Sequence, residues 1–400
     1  MSRILVDQIR SNSASNDAFT LDGSGNVTVP GNITLSGNAT LSGTATGFPK
    51  GKAHNLIING AMNVAQRGTS STSTYYQTVD RFQLRTSGVD EAPTQAQVDV
   101  ASGTTPYTLG FRKAYRITNG NQTSGAGAGD YVFIRCMLEA QDMATSGWNY
   151  VSSSSNITFS FWVKSSVAQT FYCSIYTKDG TSYSYPFETG SLSADTWTKV
   201  TKTLPGNSNL QFDNDANEGL RIQFFCFQGT NKTGSVTLNQ WSAYDDAAQT
   251  PDSPSTWYTT NDATFEITGV QLEVGDSATD FEHKSYGDEL ALCERYYEIV
   301  AEGNNNYFAT TAQWNSGLAL GAISYRTTKR AIPSLVQTTG TNYYFQAQNG
   351  STPNFNNIDH LSHGGAKVAA LAAYVGGTAG YAGLFSTVNA AAHIALDAEL

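Results

Sequence analysis

Apolar and polar residues alternate with period two along much of this chain, and the alternation breaks at clusters of Gly, Asn, Ser and Asp. That pattern predicts short β-strands joined by turns. It is most regular over residues 25–48, which divide into four hexads: GNVTVP, GNITLS, GNATLS and GTATGF. Gly25, Gly31, Gly37 and Gly43 recur in step, as do Thr28, Thr34, Thr40 and Thr46. Between them lie Val27 and Val29, Ile33 and Leu35, Ala39 and Leu41. A fixed short period implies a β structure that stacks unit on unit. One hexad cannot bury its own apolar side chains, and a lone ribbon would expose its edges. Winding identical chains around a common axis removes both problems. Residues 1–53 are therefore expected to form an N-terminal β-repeat stalk, most simply a trimer, with Val27, Val29, Ile33, Leu35 and Leu41 as trimerisation residues. The alternative is a flexible linker, which rarely keeps apolar residues in phase.

From residue 54 to 284 the runs are longer. FRKAYRIT (111–118), YVFIRCML (131–138), NITFSFWVKS (156–165), TFYCSIYT (170–177), LRIQFFCF (220–227) and ATFEITGVQLEVG (263–275) are examples. Their length and spacing predict an antiparallel sandwich of jelly-roll type. Ile157, Phe159, Phe161 and Val163 would face its core, as would Leu220, Ile222 and Phe224. Residues 285–300, SYGDELALCERYYEIV, predict a short hinge helix. Ser285 and Asp288 fit a capping box, and Leu290, Cys293 and Tyr297 share a face. Residues 301–400 predict a C-terminal β-sandwich tip of about seven short strands. AKVAALAAYV could equally be a helix, since periodicity does not decide it. The fold class is thus mainly β.

Composition narrows the functional classes. Charged residues make up 14% of the chain and the net charge is −10. There is no Lys/Arg stripe, so nucleic acid is not an expected partner. Tyr (21), Phe (19) and Gly (37) are used freely, which suits binding surfaces built on aromatics and small polar residues. MSRILVDQIR has no apolar secretion-signal core, and no run is long enough to span a membrane. Cys136, Cys173, Cys226 and Cys293 stand far apart in apolar contexts and read as buried free thiols, with a disulfide or zinc site as the alternative.

Several constellations invite a chemical reading. Ser277, Asp280, His283 and Ser285 fall within nine residues, but catalytic triads converge in space from distant positions, so strand-to-helix geometry explains them better. Asp213, Asp215 and Asn217 form an oxygen-rich loop that suits a structural Ca²⁺. The EF-hand pattern fails there, and a solvated turn is the competing account. His360 and His363 have metal-like spacing without an evident third ligand. No other cofactor is expected.

Two stretches carry a family resemblance: NLIINGAMNVAQRGTS (55–70) with TVDRFQL (78–84), and ITGVQLEVGDSATDFEHKSYGDELALCERYYE (267–298). Both resemble segments of bacteriophage tail-fibre and receptor-binding proteins of cyanobacterial and other marine phages. The opening forty residues are similar to the N-terminal repeat of that family. The last hundred match only loosely. The resemblance implies a homotrimeric virion fibre. Its N-terminal region would attach to a tail, baseplate or adaptor protein. Its jelly roll would be similar to carbohydrate-binding modules, and its distal domains would bind a host surface glycan or protein. No enzymatic activity is expected, since fibres that cleave polysaccharide usually carry a long β-helix and this chain has four short hexads, and no membrane insertion is expected. A structural adaptor or capsid fibre, or a polysaccharide-degrading tailspike, are the alternatives. For glycan contact the candidates are aromatics outside clean inward alternation: Trp148, Tyr150, Tyr183, Tyr185, Trp257 and Tyr258, with Trp314, Tyr343 and Tyr344 at the tip. Flat rings stack on sugar faces while neighbouring Ser, Asn and Gln supply hydrogen bonds.

Overall fold

The computed structural model describes residues 54–363 and 367–400, together with three short strand segments before them. Those segments, β1 (Gln8–Ile9), β2 (Phe19–Leu21) and β3 (Val27–Thr28), form a small antiparallel sheet in the order β1-β2-β3. Val27 is 56% exposed in the single chain. The other expected stalk residues, Val29, Ile33, Leu35 and Leu41, lie outside the described residues.

The second unit begins at Gly51. Its first half contains β4 (Ser70–Ser71), β5 (Phe82–Ser87), β6 (Thr94–Asp99), β7 (Lys113–Thr118), β8 (Tyr131–Glu139) and β9 (Asn156–Ser165). There follow β10 (Thr170–Thr177), β11 (Tyr183–Ser191), β12 (Thr198–Pro205), β13 (Glu218–Gln228), β14 (Ser242–Ala243) and β15 (Thr264–Val274). They form two six-stranded antiparallel sheets, β14-β11-β10-β13-β8-β5 and β12-β9-β15-β7-β6-β4. The inner faces meet in an aromatic core. Phe161 of β9 meets Phe224 of β13 edge-on, with ring centres 5.0 Å apart, and Phe159 lies 6.0 Å from Phe187. The inward set expected from alternation, Ile157, Phe159, Phe161 and Val163, is buried in that core.

The helix is shorter than its sequence pattern suggests. It runs Tyr286–Glu294. Ser285 caps it: its Oγ accepts from the Asp288 backbone N–H at 3.2 Å and donates to Asp288 Oδ2 at 2.7 Å. After Arg295 the chain enters β16 (Tyr297–Glu302), so the second half of the expected hinge helix is a strand. Tyr-Tyr-Glu-Ile-Val is aromatic and β-branched, which favours a strand once a partner is present. That partner is the last strand of the chain.

The second half continues through β17 (Tyr307–Asn315), β18 (Leu318–Ser324), β19 (Ser334–Gln337), β20 (Tyr344–Ala347) and β21 (Asn354–Phe355). It ends with β22 (Asp359–His363), β23 (Val368–Ala373), β24 (Ala382–Thr387) and β25 (His393–Asp397). The sheets are β16-β25-β19 and β21-β20-β24-β17-β18-β23-β22. They share a smaller core that includes Ala319, Leu371, Phe385, Ile394 and Leu396. AKVAALAAYV holds strand β23, not a helix.

The two sandwiches are joined through buried charge, so the segment between them is no free hinge. Arg81, 2% exposed, forms an ion pair with Glu399, and its guanidinium lies 3.4 Å over the Tyr296 ring. Arg67 bonds Glu399 at 3.3 Å and Asp397 at 3.2 Å and lies 3.6 Å over the Tyr297 ring. Arg295 grips Glu139 with two hydrogen bonds of 2.6 and 2.7 Å, and the Tyr296 hydroxyl donates to the same carboxylate. Residues 55–84 and 267–298 contribute Arg67, Arg81, Arg295 and Tyr296 to this seam. Asn59 receives its place from Val64, Asp80 and Glu289, while a Cβ at Gly60 would stand 2.0 Å from the Val270 carbonyl oxygen. Only glycine permits that approach.

Candidate functional site

Strand alternation gives every inward residue of the central sandwich an outward neighbour. On the β14-β11-β10-β13-β8-β5 sheet the inward residues are those of the core: Val132, Ile134 and Cys136 on β8, Ile222 and Phe224 on β13, Cys173 and Ile175 on β10. The intervening positions form the opposite face. Cross-strand register arranges them in rows. One row runs Arg85, Phe133, Phe225, Tyr172 and Glu188. The next runs Gln83, Arg135, Gln223, Ser174 and Pro186. A third runs Met137, Arg221, Tyr176 and Ser184.

This face is an aromatic ridge beside a polar floor. Phe133 and Phe225 meet edge-on with ring centres 5.5 Å apart, and Tyr131 adds a third ring 5.3 Å from Phe133. Tyr176 packs on Tyr244 at 4.2 Å, with Arg221 5.3 Å from its ring centre. Tyr131, Phe133 and Tyr172 are half-buried, so each offers part of a ring to solvent. The Tyr172 phenol is pushed up by burial, with Glu188 and Asp252 adding to the shift, and remains a hydrogen-bond donor at neutral pH. In the floor, Arg135 Nη2 donates to Gln83 Oε1 at 3.1 Å, and Ser174 Oγ donates to Gln223 Oε1 at 3.4 Å. Phe225, Gln83, Gln223 and Ser174 are themselves buried, so this surface offers a ring-shaped ligand the open parts of Tyr131, Phe133 and Tyr172 and the guanidiniums of Arg85 and Arg135.

The opposite sheet carries a cavity of about 400 Å³ lined by Phe111, Ser160, Trp162, Lys199, Asp280, Phe281 and His283, among others. It holds two members of the suspicious Ser277–Ser285 cluster. The structure does not connect them as a triad. His283 Nε2 is paired with the Leu109 carbonyl at 2.9 Å, and Ser285 Oγ belongs to the helix cap.

Most of the aromatics selected from sequence lie elsewhere. Trp148, Tyr185, Trp257, Tyr258 and Tyr344 are buried and offer no face to a ligand, a correction to the expectation that they contact glycan. Trp148 donates to the Ser155 carbonyl; Tyr185 packs edge-on against Trp241; Tyr258 stacks on Phe227 and donates to Asp130. Trp257 and Tyr258 sit on a one-turn helix that carries both rings inward. The Tyr344 hydroxyl reaches the Thr338 carbonyl at 2.7 Å. Tyr150, Tyr183 and Tyr343 are half-buried against the two cores. Trp314 is 69% exposed on β17, apart from the face described above.

The oxygen-rich loop binds itself. Asp215 accepts from the backbone and side-chain nitrogens of Asn217, and Asp213 Oδ1 accepts from Gln211. Asp179, whose carboxyl is raised by burial and by Asp213, Asp215 and Glu218, accepts from the Asp213 backbone N–H. Among the described residues no three His, Cys, Asp or Glu side chains gather as a metal site. The four cysteines are buried and unpaired, and burial raises the Cys136 thiol to about 12.

No family model and no curated protein matches this chain. Among solved structures, it is similar to the enzymatically active domain of bacteriophage CBA120 tailspike protein 4, at 12% identity over 55% of this chain and 21% of that one (TM-score 0.29). It is similar to the CBM22-1 xylan-binding domain of Paenibacillus barcinonensis Xyn10C, at 9% identity over 56% and 97% (TM-score 0.27). A third is the N-terminal cellulose-binding domain of Cellulomonas fimi β-1,4-glucanase C, at 11% identity over 54% and 100% (TM-score 0.26). The chain spans about a fifth of the length of the tailspike. The likeness is too distant to carry an argument about function, which rests on this chain's own residues.

Proposed function

We propose that this chain is a non-enzymatic receptor-binding fibre protein of a phage, and that it takes hold of a host surface glycan with the outer face of the β14-β11-β10-β13-β8-β5 sheet. The observation that carries this reading is the placement of the half-buried Phe133 and Tyr172 beside Arg135, over a buried layer of Phe225, Gln83, Gln223 and Ser174. Sugar rings have an apolar face and a hydroxylated rim, and the two rows offer a partner for each. Three copies joined by the hexad stalk would multiply weak contacts into firm attachment. The N-terminal region would meet the tail.

The test is binding of the full chain to a panel of polysaccharides, with Tyr172→Ala and Phe133→Ala as variants. Both variants should lose at least tenfold in affinity, about 1.4 kcal/mol. Unchanged affinity in both would remove the face from the account. Light scattering should give the mass of three chains; the mass of one would remove the stalk's role.

A further inference from the structure

The same face holds a charge pattern that composition hides. The chain carries a net charge of −10, yet three arginines cross this sheet on one oblique line. Arg85 on β5 stands opposite Phe133; Arg135 is two residues further along β8; Arg221 on β13 stands opposite Met137, two residues beyond Arg135. With strands about 4.8 Å apart and about 3.4 Å per residue, successive Cα atoms on this line are about 8 Å apart.

Only one of the three charges is balanced. Arg221 is held by Glu218 through two hydrogen bonds of 2.6 and 2.8 Å. Arg85 lies 4.3 Å over the Tyr75 ring and makes no ion pair among the described residues. Arg135, in the middle, has one hydrogen bond, to the neutral amide oxygen of Gln83, and its Nε is buried with no partner. Burial, then Arg221, then Arg85 lower its pKa to about 10, with Glu218 acting the other way. Other charged groups on or beside this face are Glu188, at the β11 margin opposite Tyr172, Lys178, 5.2 Å from the Tyr176 ring centre, Glu139, opposite Glu218 and held by Arg295, and Asp252, near Tyr172. None of them forms an ion pair with Arg135 among the described residues. A half-buried guanidinium between two others, with one neutral acceptor, lacks an anion.

We propose that the missing anion is the carboxylate of an acidic polysaccharide, so that the face recognises a chain of uronic acid units. This rests on the face being the glycan site and names the class of glycan. Arg135 takes a sugar carboxylate in charge-assisted hydrogen bonds, Arg85 and Arg221 flank it along the oblique line, and the Phe133–Tyr172 ridge receives the ring face. The acidic remainder of the protein would repel a polyanion anywhere else, which confines it to this strip.

The experiment compares polygalacturonate with its fully methyl-esterified form, the same sugar chain without charge, using the full-length protein at low and high salt. The acid should bind at least tenfold tighter at low salt, and the preference should shrink at 0.5 M salt, where screening is nearly complete beyond a few ångströms. Arg135→Gln and the more peripheral Arg85→Gln should each reduce the preference, with melting temperature checked for both. Equal binding of the ester, or full preference in both variants, would overturn the proposal. Equal retention of a single-stranded oligonucleotide would overturn the assignment to sugar. Should only the ester bind, and Tyr172→Ala abolish it, the charge inference fails while the face remains the glycan site. Should neutral binding survive both Tyr172→Ala and Phe133→Ala, the face itself is wrong.

Discussion

The two sandwiches solve the same packing problem with different materials. The central one fills its interior with Phe159, Phe161, Phe171, Phe187, Phe224 and Phe265. The C-terminal one relies on Ala309, Ala319, Ala369 and Ala373 around fewer large residues, and it buries Gln313, Gln346 and Gln348 as well. Two of these glutamines are spent on holding a loop: Gln313 Nε2 donates to the Val375 carbonyl and Gln348 Nε2 to that of Gly376. Phenylalanine buries several times the area of alanine, so the first core stabilises itself and the second gains less per residue. The second sandwich compensates at the seam, through Arg67 and Arg81 of the first and Asp397 and Glu399 of its own end. A large core holds its domain together from within. A small core ties its domain to its neighbour.

Breaking the seam should expose that dependence most strongly. Glu399→Ala would strand the buried Arg81 guanidinium and leave Arg67 with Asp397 alone, a cost of about 3–5 kcal/mol. Calorimetry should then resolve two transitions, with the C-terminal sandwich melting first. A single unshifted transition would show that the second core stands on its own. Filling the small core tests the same contrast from inside. Ala319 is fully buried, and Ala319→Leu should destabilise by about 1–3 kcal/mol through overpacking.

Acid titration sharpens the comparison at the seam itself. Burial raises the Asp80 carboxyl to about 6, against the opposing pull of Arg67 and Gln66. Its folded pKa is above its unfolded value of 3.8, so the native state binds this proton more tightly. Its contribution is therefore complete below pH 3.8 and is lost as pH rises through about 6. Glu139 acts oppositely. Burial would raise it, but its bonds from Arg295 and Tyr296 prevail and lower it, so its contribution is present above its unfolded pKa and lost as pH falls through the folded one. Asp80→Asn should remove the part of the stability change between about pH 4 and 6 and leave the acid limb. An identical stability profile in that variant would contradict the assignment.

The strands of the central sandwich were legible because alternation is local: Ile157, Phe159, Phe161 and Val163 face inward as their spacing implies. The helix start was legible too, since Ser285 and Asp288 are three residues apart. Its end was not, because Tyr297 becomes a strand only by pairing with Asp397, a hundred positions later in register terms. The seam was illegible for the same reason: Arg81 and Glu399 are 318 residues apart. The outer face was half legible. Alternation alone points Arg135 and Phe133 away from the core, but only cross-strand register puts them beside Gln223, Phe225 and Tyr172. Trp257 and Tyr258, chosen from a turn, are buried because that turn folds inward.

The most direct test pits the two domains against each other as the glycan reader. Tyr172 lies on the central face, and Trp314 is the exposed tryptophan of the C-terminal sandwich. Affinity for the bound polysaccharide would be measured for the full chain with Tyr172→Ala and with Trp314→Ala. The account expects at least a tenfold loss from the first and little change from the second. Loss confined to Trp314→Ala would place recognition on the C-terminal sandwich and contradict it.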